Sequence, residues 1–466
     1  MNALPRLILA GLSGGSGKTI VSLGLCRALV QKGLSVRPFK KGPDYIDAAW
    51  LGLAARTDCS NLDPFLLSRE VLTALFADKA QGFDLSVIEG NRGLFDGKDV
   101  SGSCSTAELG RWLDCPVVLV LDCTKMTRTA AAVVAGCRHF EDGVRLAGVV
   151  LNRTAGARHR AILRQAIETY TDVPVLGTLP KISENPIPER HMGLVSDQEH
   201  AGREAALDAV GRMAADNLDL DALIALARSA PALARPDIRL WPEAGPDAEP
   251  PVIGYVRDAA LWFYYPENLE ALERAGAKLV RLSLLDAEPW PEIHGLYLGG
   301  GFPETQAEAL AANEAVRERV RSLVQAGLPL YAECGGFMYL CRSLEQGGHS
   351  FPMAGVLPLS TTLCPKPQGL GYVEARVERD NPFHPAGSVI RGHEFHYSAC
   401  LAHDPAAAGD FALRMERGQG LQAGRDGLLT GNAWAGYIHI HALGEPHWAP
   451  RFVAAAARFR SNRATR

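Results

Sequence analysis

Short apolar runs of strand length alternate with longer amphipathic stretches through the first half of the chain. Leu7–Ala10, Val36–Phe39, Leu85–Ile88, Val117–Leu121 and Ala147–Leu151 are near-continuous hydrophobic runs, while Ile20–Lys32 spaces its apolar residues as a helix does. Unbroken apolar strands are buried on both faces, the condition of a parallel sheet covered by helices. The alternation predicts βαβ units whose chemistry lies on loops at the carboxyl ends of the strands.

Another pattern of the same kind begins at Val252–Val256 and continues through helix-like Pro266–Ala275, strand-like Lys278–Leu282 and Gly295–Leu298. Between the two patterns the chain is dense in Pro and Ala without usable periodicity, which suits a semi-rigid connector. We therefore expect an α/β protein of two doubly wound domains, residues 1–230 and 252–447, joined by a linker at 231–251. Residues 448–466 carry five arginines and no acid, and read as a basic tail forming a solvated helix end.

Composition narrows the function classes. A length of 466 residues supports two or three domains, and 47% hydrophobic with 21% charged residues excludes a disordered or fibrous chain. With 48 Lys and Arg against 52 Asp and Glu, the net charge of −4 argues against a nucleic-acid or membrane partner, while a small anionic ligand remains compatible. The ten cysteines form no C-x-x-C pair, and nearly all read as small buried hydrophobes of a reducing, cytoplasmic compartment. The opening MNALPRLILAGL is apolar for too few residues to be a leader or a spanning segment.

The segment Gly11-Leu12-Ser13-Gly14-Gly15-Ser16-Gly17-Lys18-Thr19 follows the first strand and opens the first helix. Glycines let backbone N–H groups converge on phosphate oxygens, Lys18 can reach the outer phosphates, and Thr19 offers a hydroxyl to Mg²⁺. The loop is one residue longer than the common form, with five residues between Gly11 and Gly17. Glu89, at the tip of the Leu85–Ile88 run, and Asp44 are the leading metal-ligand candidates. Lys40 and Lys41 could place cations on the transferring phosphoryl groups, and Asp47 and Asp96 are secondary ligand candidates. Asn152, after Ala147–Leu151, is equally well a base reader or a turn former.

In the C-terminal half, Pro329-Leu330-Tyr331-Ala332 runs into Glu333-Cys334-Gly335-Gly336. A cysteine on a strand-to-helix turn with glycines behind it is how α/β folds expose a nucleophile, and the helix terminus there is expected to favour thiolate. The base this cysteine needs is expected in the strand-like Tyr437-Ile438-His439-Ile440-His441, which puts His439 and His441 on one face. Gly300 and Gly301, ending another strand, are the expected oxyanion-hole donors. Arg391-Gly392-His393-Glu394-Phe395-His396-Tyr397 lacks zinc spacing and is read as a packing or substrate-facing strand.

These motifs carry a resemblance. The N-terminal half resembles dethiobiotin synthetase-like P-loop enzymes, and the C-terminal half is similar to a class I glutamine amidotransferase of the cobyric-acid-synthase type. Gly14 to Thr19, Lys41-Gly42-Pro43-Asp44-Tyr45-Ile46-Asp47, Glu89-Gly90, Gly93-Leu94-Phe95-Asp96-Gly97, Ala332 to Gly336 and Tyr437 to His441 together are similar to the cobyrinic acid a,c-diamide synthases. The resemblance implies a P-loop NTPase-like sheet and a flavodoxin-like amidotransferase sheet. It also implies an ATP- and Mg²⁺-dependent ligase of cobalamin biosynthesis. Glutamine would be hydrolysed at Cys334 and the ammonia passed to a and c carboxylates of cobyrinic acid activated as acyl phosphates. Asp44, Asp47 and Glu89 would serve Mg²⁺ or the substrate carboxylate, and Asp96 the substrate. Hydrogenobyrinic acid or a sirohydrochlorin-type tetrapyrrole are alternative substrates, a MinD-like ATPase switch is a competing class, and a homodimer is left open. One departure stands out: class I amidotransferases place a Glu two residues after the catalytic His, where this chain has His441.

Overall fold

The computed structural model describes residues 3–182, 187, 189–190, 193–194, 202–245, 249–402 and 409–464. The chain divides into two compact units, Met1–Ile238 and Arg239–Arg466. The division falls inside the expected 231–251 linker, whose described residues form neither helix nor strand.

The first unit is built on seven strands: β1 (Arg6–Gly11), β2 (Val36–Lys41), β3 (Ser60–Leu62), β4 (Leu85–Glu89), β5 (Val117–Asp122), β6 (Leu146–Thr154) and β7 (Val175–Pro180). Their order is β3-β2-β4-β1-β5-β6-β7, and every pairing is parallel. All six residues of β1 are buried, as an unbroken apolar run at the sheet centre requires. Because the strand order reverses around β1, the loops after β1, β2 and β4 open onto one crevice. Helix α1 (Lys18–Gln31) starts there, and α2 (Tyr45–Ala55) follows β2.

Two buried arginines tie the layers together. Arg6 donates to the carbonyls of Leu4, Leu113, Asp114 and Pro231, fastening the chain that leaves the unit to the lower edge of the sheet. Arg27 on α1 pairs with Glu204 and Asp208, on and beside the face of helix Arg203–Asn217 that packs against it. Gly24 lets the two helices approach, since a Cβ there would lie 2.7 Å from the Val210 carbonyl.

The second unit has a ten-stranded mixed sheet. Lys278–Leu282, Val252–Val256, Gly295–Leu298, Leu330–Glu333 and Ala433–Gly436 form its parallel part, in that order. Arg425–Thr430, Asp410–Arg417, Gly369–Val377, Val389–His396 and His439–Ile440 extend it antiparallel. The expected doubly wound sheet is thus present but carries an antiparallel wing. The wing returns the chain to the end of Leu330–Glu333, because Ile440 on its last strand donates to the Glu333 carboxylate.

The expected solvated tail is instead helix Trp448–Ala464, part of the core of this unit. Trp448, Phe452 and Ala456 are fully buried, and Gly295 admits the helix closely, a Cβ there meeting Phe452 at 3.0 Å. Spacing by four residues puts these side chains on one stripe while Arg458 faces solvent. The arginines therefore reported only the outer face. No described helix is long and apolar enough to cross a membrane.

Candidate active sites of the two units

The loop from Gly11 to Thr19 has the backbone that its glycines permit. Gly15 (φ 73°) and Gly17 (φ 84°) lie in the left-handed region, and Gly17 caps α1. A Cβ on Gly14 or Gly15 would meet nothing within 4 Å, so the rim of the loop faces open space. Lys18 folds back over the loop, its Nζ donating to the Ser13 carbonyl at 2.9 Å. Burial lowers its pKa, against the pull of the neighbouring Glu89 carboxylate. Gly11 makes this fold-back possible, since a Cβ there would lie 2.3 Å from Ser16 Oγ and 2.9 Å from the Lys18 stem.

Below the loop is a cluster centred on Lys40, the first of the two adjacent lysines expected to serve the phosphoryl groups. In the β2–β4 register Lys40 stands opposite Glu89. Its Nζ lies 2.9 Å from Glu89 Oε1 and 2.6 Å from Asp47 Oδ2, and Thr19 Oγ1 donates to Glu89 Oε1 at 2.7 Å. The other oxygen of fully buried Glu89 has no hydrogen-bond partner. Two carboxylates, one of them carrying this open acceptor, and a threonine hydroxyl fit Mg²⁺ delivered with a nucleotide, an ion that keeps waters and takes one or two protein carboxylates. Among the described residues there is no preassembled three-ligand cage.

The remaining expected residues divide. Asp47 belongs to this cluster. Asp44 stands at its edge, 3.9 Å from Lys40, and its side chain caps α2 by accepting from Asp47 N–H at 2.9 Å. Lys41 points to the other face of β2, where Asp63, Cys104 and Arg92 are its charged or ionisable neighbours, and burial lowers its pKa. Asp96 closes its own loop by accepting from Gly93 N–H. Asn152 supports the phosphate loop from beneath, donating to the Ser16 carbonyl at 3.0 Å.

In the second unit, Cys334 occupies the turn between Leu330–Glu333 and the six-residue helix Gly335–Leu340, with a strained φ of 45° and ψ of −100°. The glycine loop lies against this turn. A Cβ on Gly335 would be 2.9 Å from Gly301 N, and one on Gly336 would be 2.5 Å from the Leu298 carbonyl. The same loop touches the base, because a Cβ on Gly300 would sit 2.4 Å from His439 Cε1 and 3.3 Å from its Nε2. The expected nucleophile, oxyanion loop and base thus converge.

The expected thiolate bias is not what this environment produces. Burial pushes the Cys334 thiol well above its ordinary value, Glu304 adds to the rise, and the Gly335 N–H opposes it without prevailing. A nucleophile in this setting would need a base to take its proton.

Several neighbours of the base lay outside the expected set. His393 stacks on His439 with centroids 4.8 Å apart, and burial, together with His439, holds His393 neutral. Buried Asp426 accepts from the N–H groups of Gly427, Tyr437 and Ile438, fixing the turn that leads into His439. Glu333 approaches His439 Nδ1 at 3.6 Å. His441 is beyond the two-residue strand and faces Glu267. Of these neighbours, the sequence had marked only His441 and the wing strand containing His393.

Comparison with known proteins covers both units. Residues 7–195 match the CobQ/CobB/MinD/ParA nucleotide binding domain, and residues 252–447 match the CobB/CobQ-like glutamine amidotransferase domain. The chain is 44% identical over 452 residues to the cobyrinate a,c-diamide synthase of Magnetococcus marinus, covering 96% of each chain. It is 40% identical to the enzyme of that name from Syntrophotalea carbinolica, covering 96% of this chain and 98% of the relative. For that of Salmonella typhimurium the identity is 39%, covering 97% and 98%.

Proposed function

Since the chain belongs to the cobyrinate a,c-diamide synthase family of glutamine-dependent amidating ligases, we propose that it converts the a and c carboxylates of cobyrinic acid to amides through acyl phosphates. The observation that carries this reading is the presence, in one chain, of a phosphate loop backed by Lys18, Lys40 and Glu89 and of a Cys334, Gly300 and His439 constellation.

His439 takes the Cys334 proton, and the thiolate attacks the glutamine carboxamide while N–H groups of the Gly300–Gly301 loop receive the developing oxyanion. His439 gives that proton to the departing nitrogen, so ammonia leaves and a thioester remains, from which water releases glutamate and restores the thiol. In the first unit a substrate carboxylate oxygen attacks the γ-phosphorus of ATP, with Lys18 and the loop N–H groups balancing charge as ADP departs. Ammonia then displaces phosphate from the acyl phosphate. Mg²⁺, held by Thr19 and Glu89 with Asp47 beside them, would supply further charge neutralisation on the phosphates. Each amide thus consumes one ATP and one glutamine and yields ADP, phosphate and glutamate.

Incubating cobyrinic acid with ATP, Mg²⁺ and glutamine should give two successive products, each lighter by about one dalton for one carboxyl converted to an amide by way of its acyl phosphate. Cys334→Ser should lose glutamine-driven amidation and keep the ammonia-driven reaction. Absence of both mass steps in the wild-type enzyme would refute this substrate assignment.

A further inference from the structure

The base of a cysteine amidotransferase needs a partner on its Nδ1 side, so that the proton sits there and the Nε2 lone pair faces the nucleophile. The residue two positions after His439 cannot fill this role. It is His441, whose Nε2 lies 3.6 Å from Glu267 Oε2 and whose ring packs on Tyr265 with centroids 4.9 Å apart. We infer that Glu333, the residue immediately before the nucleophile, is the positioning carboxylate for His439. This deepens the functional reading above and rests on the glutaminase step it contains.

Four observations converge. Glu333 Oε2 lies 3.6 Å from His439 Nδ1, while the adjoining Cε1–Nε2 edge of the ring faces Gly300, in the loop that abuts the Cys334 turn. The ring is therefore oriented with Nδ1 toward the carboxylate and Nε2 on the side of the glycine loop. The carboxylate is itself held, because Ile440 N–H donates to Oε1 at 3.1 Å and Tyr297 Oη donates to Oε2 at 3.0 Å. Asn268 braces the arrangement, with its Nδ2 near Tyr297 Oη and donating to the Ile440 carbonyl, and its Oδ1 accepting from Ala442 N–H. Finally, His393 covers one face of the His439 ring and restricts its rotation.

The same geometry explains how the acid can move in sequence without being lost. Glu333 ends the parallel strand whose next residue is Cys334, and the neighbouring backbone N–H of Ile440 binds its other oxygen. One side chain thereby couples the nucleophile strand to the base strand. At 3.6 Å the contact is a loose one, and catalytic hydrogen bonds are often long before substrate binds.

The test is Glu333→Gln, which keeps an acceptor for Ile440 N–H but presents an NH₂ group to His439 Nδ1. That reverses the donor and acceptor roles and moves the histidine proton to Nε2, where it blocks uptake of the thiol proton. NMR of ¹⁵N-histidine-labelled full-length enzyme, with the His439 signal assigned by His439→Asn, should show the Nδ1–H tautomer in the wild type and Nε2–H in the variant. Glutamate release should fall on the order of 100- to 10,000-fold in kcat with little change in KM, as when a triad carboxylate is replaced by its amide. The ratio of glutamine-driven to ammonia-driven amidation should fall equally. An unchanged tautomer, a loss of glutamate release smaller than about threefold, or an equal loss of the ammonia-driven reaction would overturn the assignment. If the wild-type enzyme released no glutamate, the functional reading would fail, and the tautomer comparison would still decide the role of Glu333.

Discussion

Replacing Lys40 with methionine should expose the electrostatic balance under the phosphate loop. The ammonium is buried between Asp47 and Glu89 at 2.6 and 2.9 Å, and Glu89 is fully buried with one oxygen already lacking a hydrogen-bond partner. Methionine preserves most of the packing volume but leaves two neighbouring carboxylates without their cation. Breaking a buried ion pair by removing one partner costs about 3–5 kcal/mol, because the remaining charge stays desolvated. The variant relieves this by protonating Glu89, whose pKa burial already raises. The folded state then holds a proton that the unfolded state releases above the ordinary carboxylate range. Stability must therefore fall as pH rises, by at most about 1.4 kcal/mol per pH unit. Hydrogen exchange of β1 and β4 peptides in urea isolates the first unit from the second. It should report a loss near 3 kcal/mol that is larger at about pH 8 than at about pH 6. Mg²⁺ with nucleotide should stabilise the variant more than the wild type, since an added cation answers the same two carboxylates. A loss below about 1 kcal/mol, flat with pH, would refute the burial and pairing on which this reasoning depends.

The other expectations are simpler to state. Gly17→Ala places a side chain at φ 84° and 2.2 Å from Asn152 Nδ2, so it should strain the cap and break the Asn152 strut to Ser16. With about 1–2 kcal/mol of backbone strain alone, calorimetry should find nucleotide affinity down roughly tenfold or more, and unchanged affinity would count against the loop conformation. Asp426→Asn puts an NH₂ group against the Tyr437 or Ile438 N–H and should cost the second unit about 1–3 kcal/mol. Burial raises the wild-type carboxyl to about 7, so between the ordinary carboxylate range and that pH the folded state binds the extra proton and stability falls as pH rises. Melting temperatures across that window should show this slope in the wild type and not in Asp426→Asn; parallel curves would sink the argument.

What the sequence disclosed, and what it did not, follows from the range of the interactions. The phosphate loop and the Cys334 turn were legible because their chemistry is local: glycines, a strand before and a helix after determine the backbone within a few residues. The flanking acids were less so. Asp44 and Asp47 are three residues apart at a helix start, where one caps and the other projects, and only the built helix says which. Lys40 and Lys41 are adjacent and alike in type. Strand alternation guarantees that they face opposite sides, but choosing between them needs the β2–β4 register that sets Lys40 against Glu89. Glu333 was hidden for a different reason. A search for the third member of a Cys–His constellation starts after the histidine, yet the carboxylate arrives from the residue before the cysteine, 106 positions earlier in the chain. Glu333 pairs in parallel register with Gly436, and the chain reaches His439 three residues later, so the two meet without leaving a spacing to recognise. The terminal helix completes the contrast, since alanine and arginine hid a stripe of Trp448, Phe452 and Ala456 that only a helical projection separates from its charged face. Residues that act through their own loop are therefore written in order, whereas those that tune the loop from a neighbouring strand become visible only when the sheet is assembled.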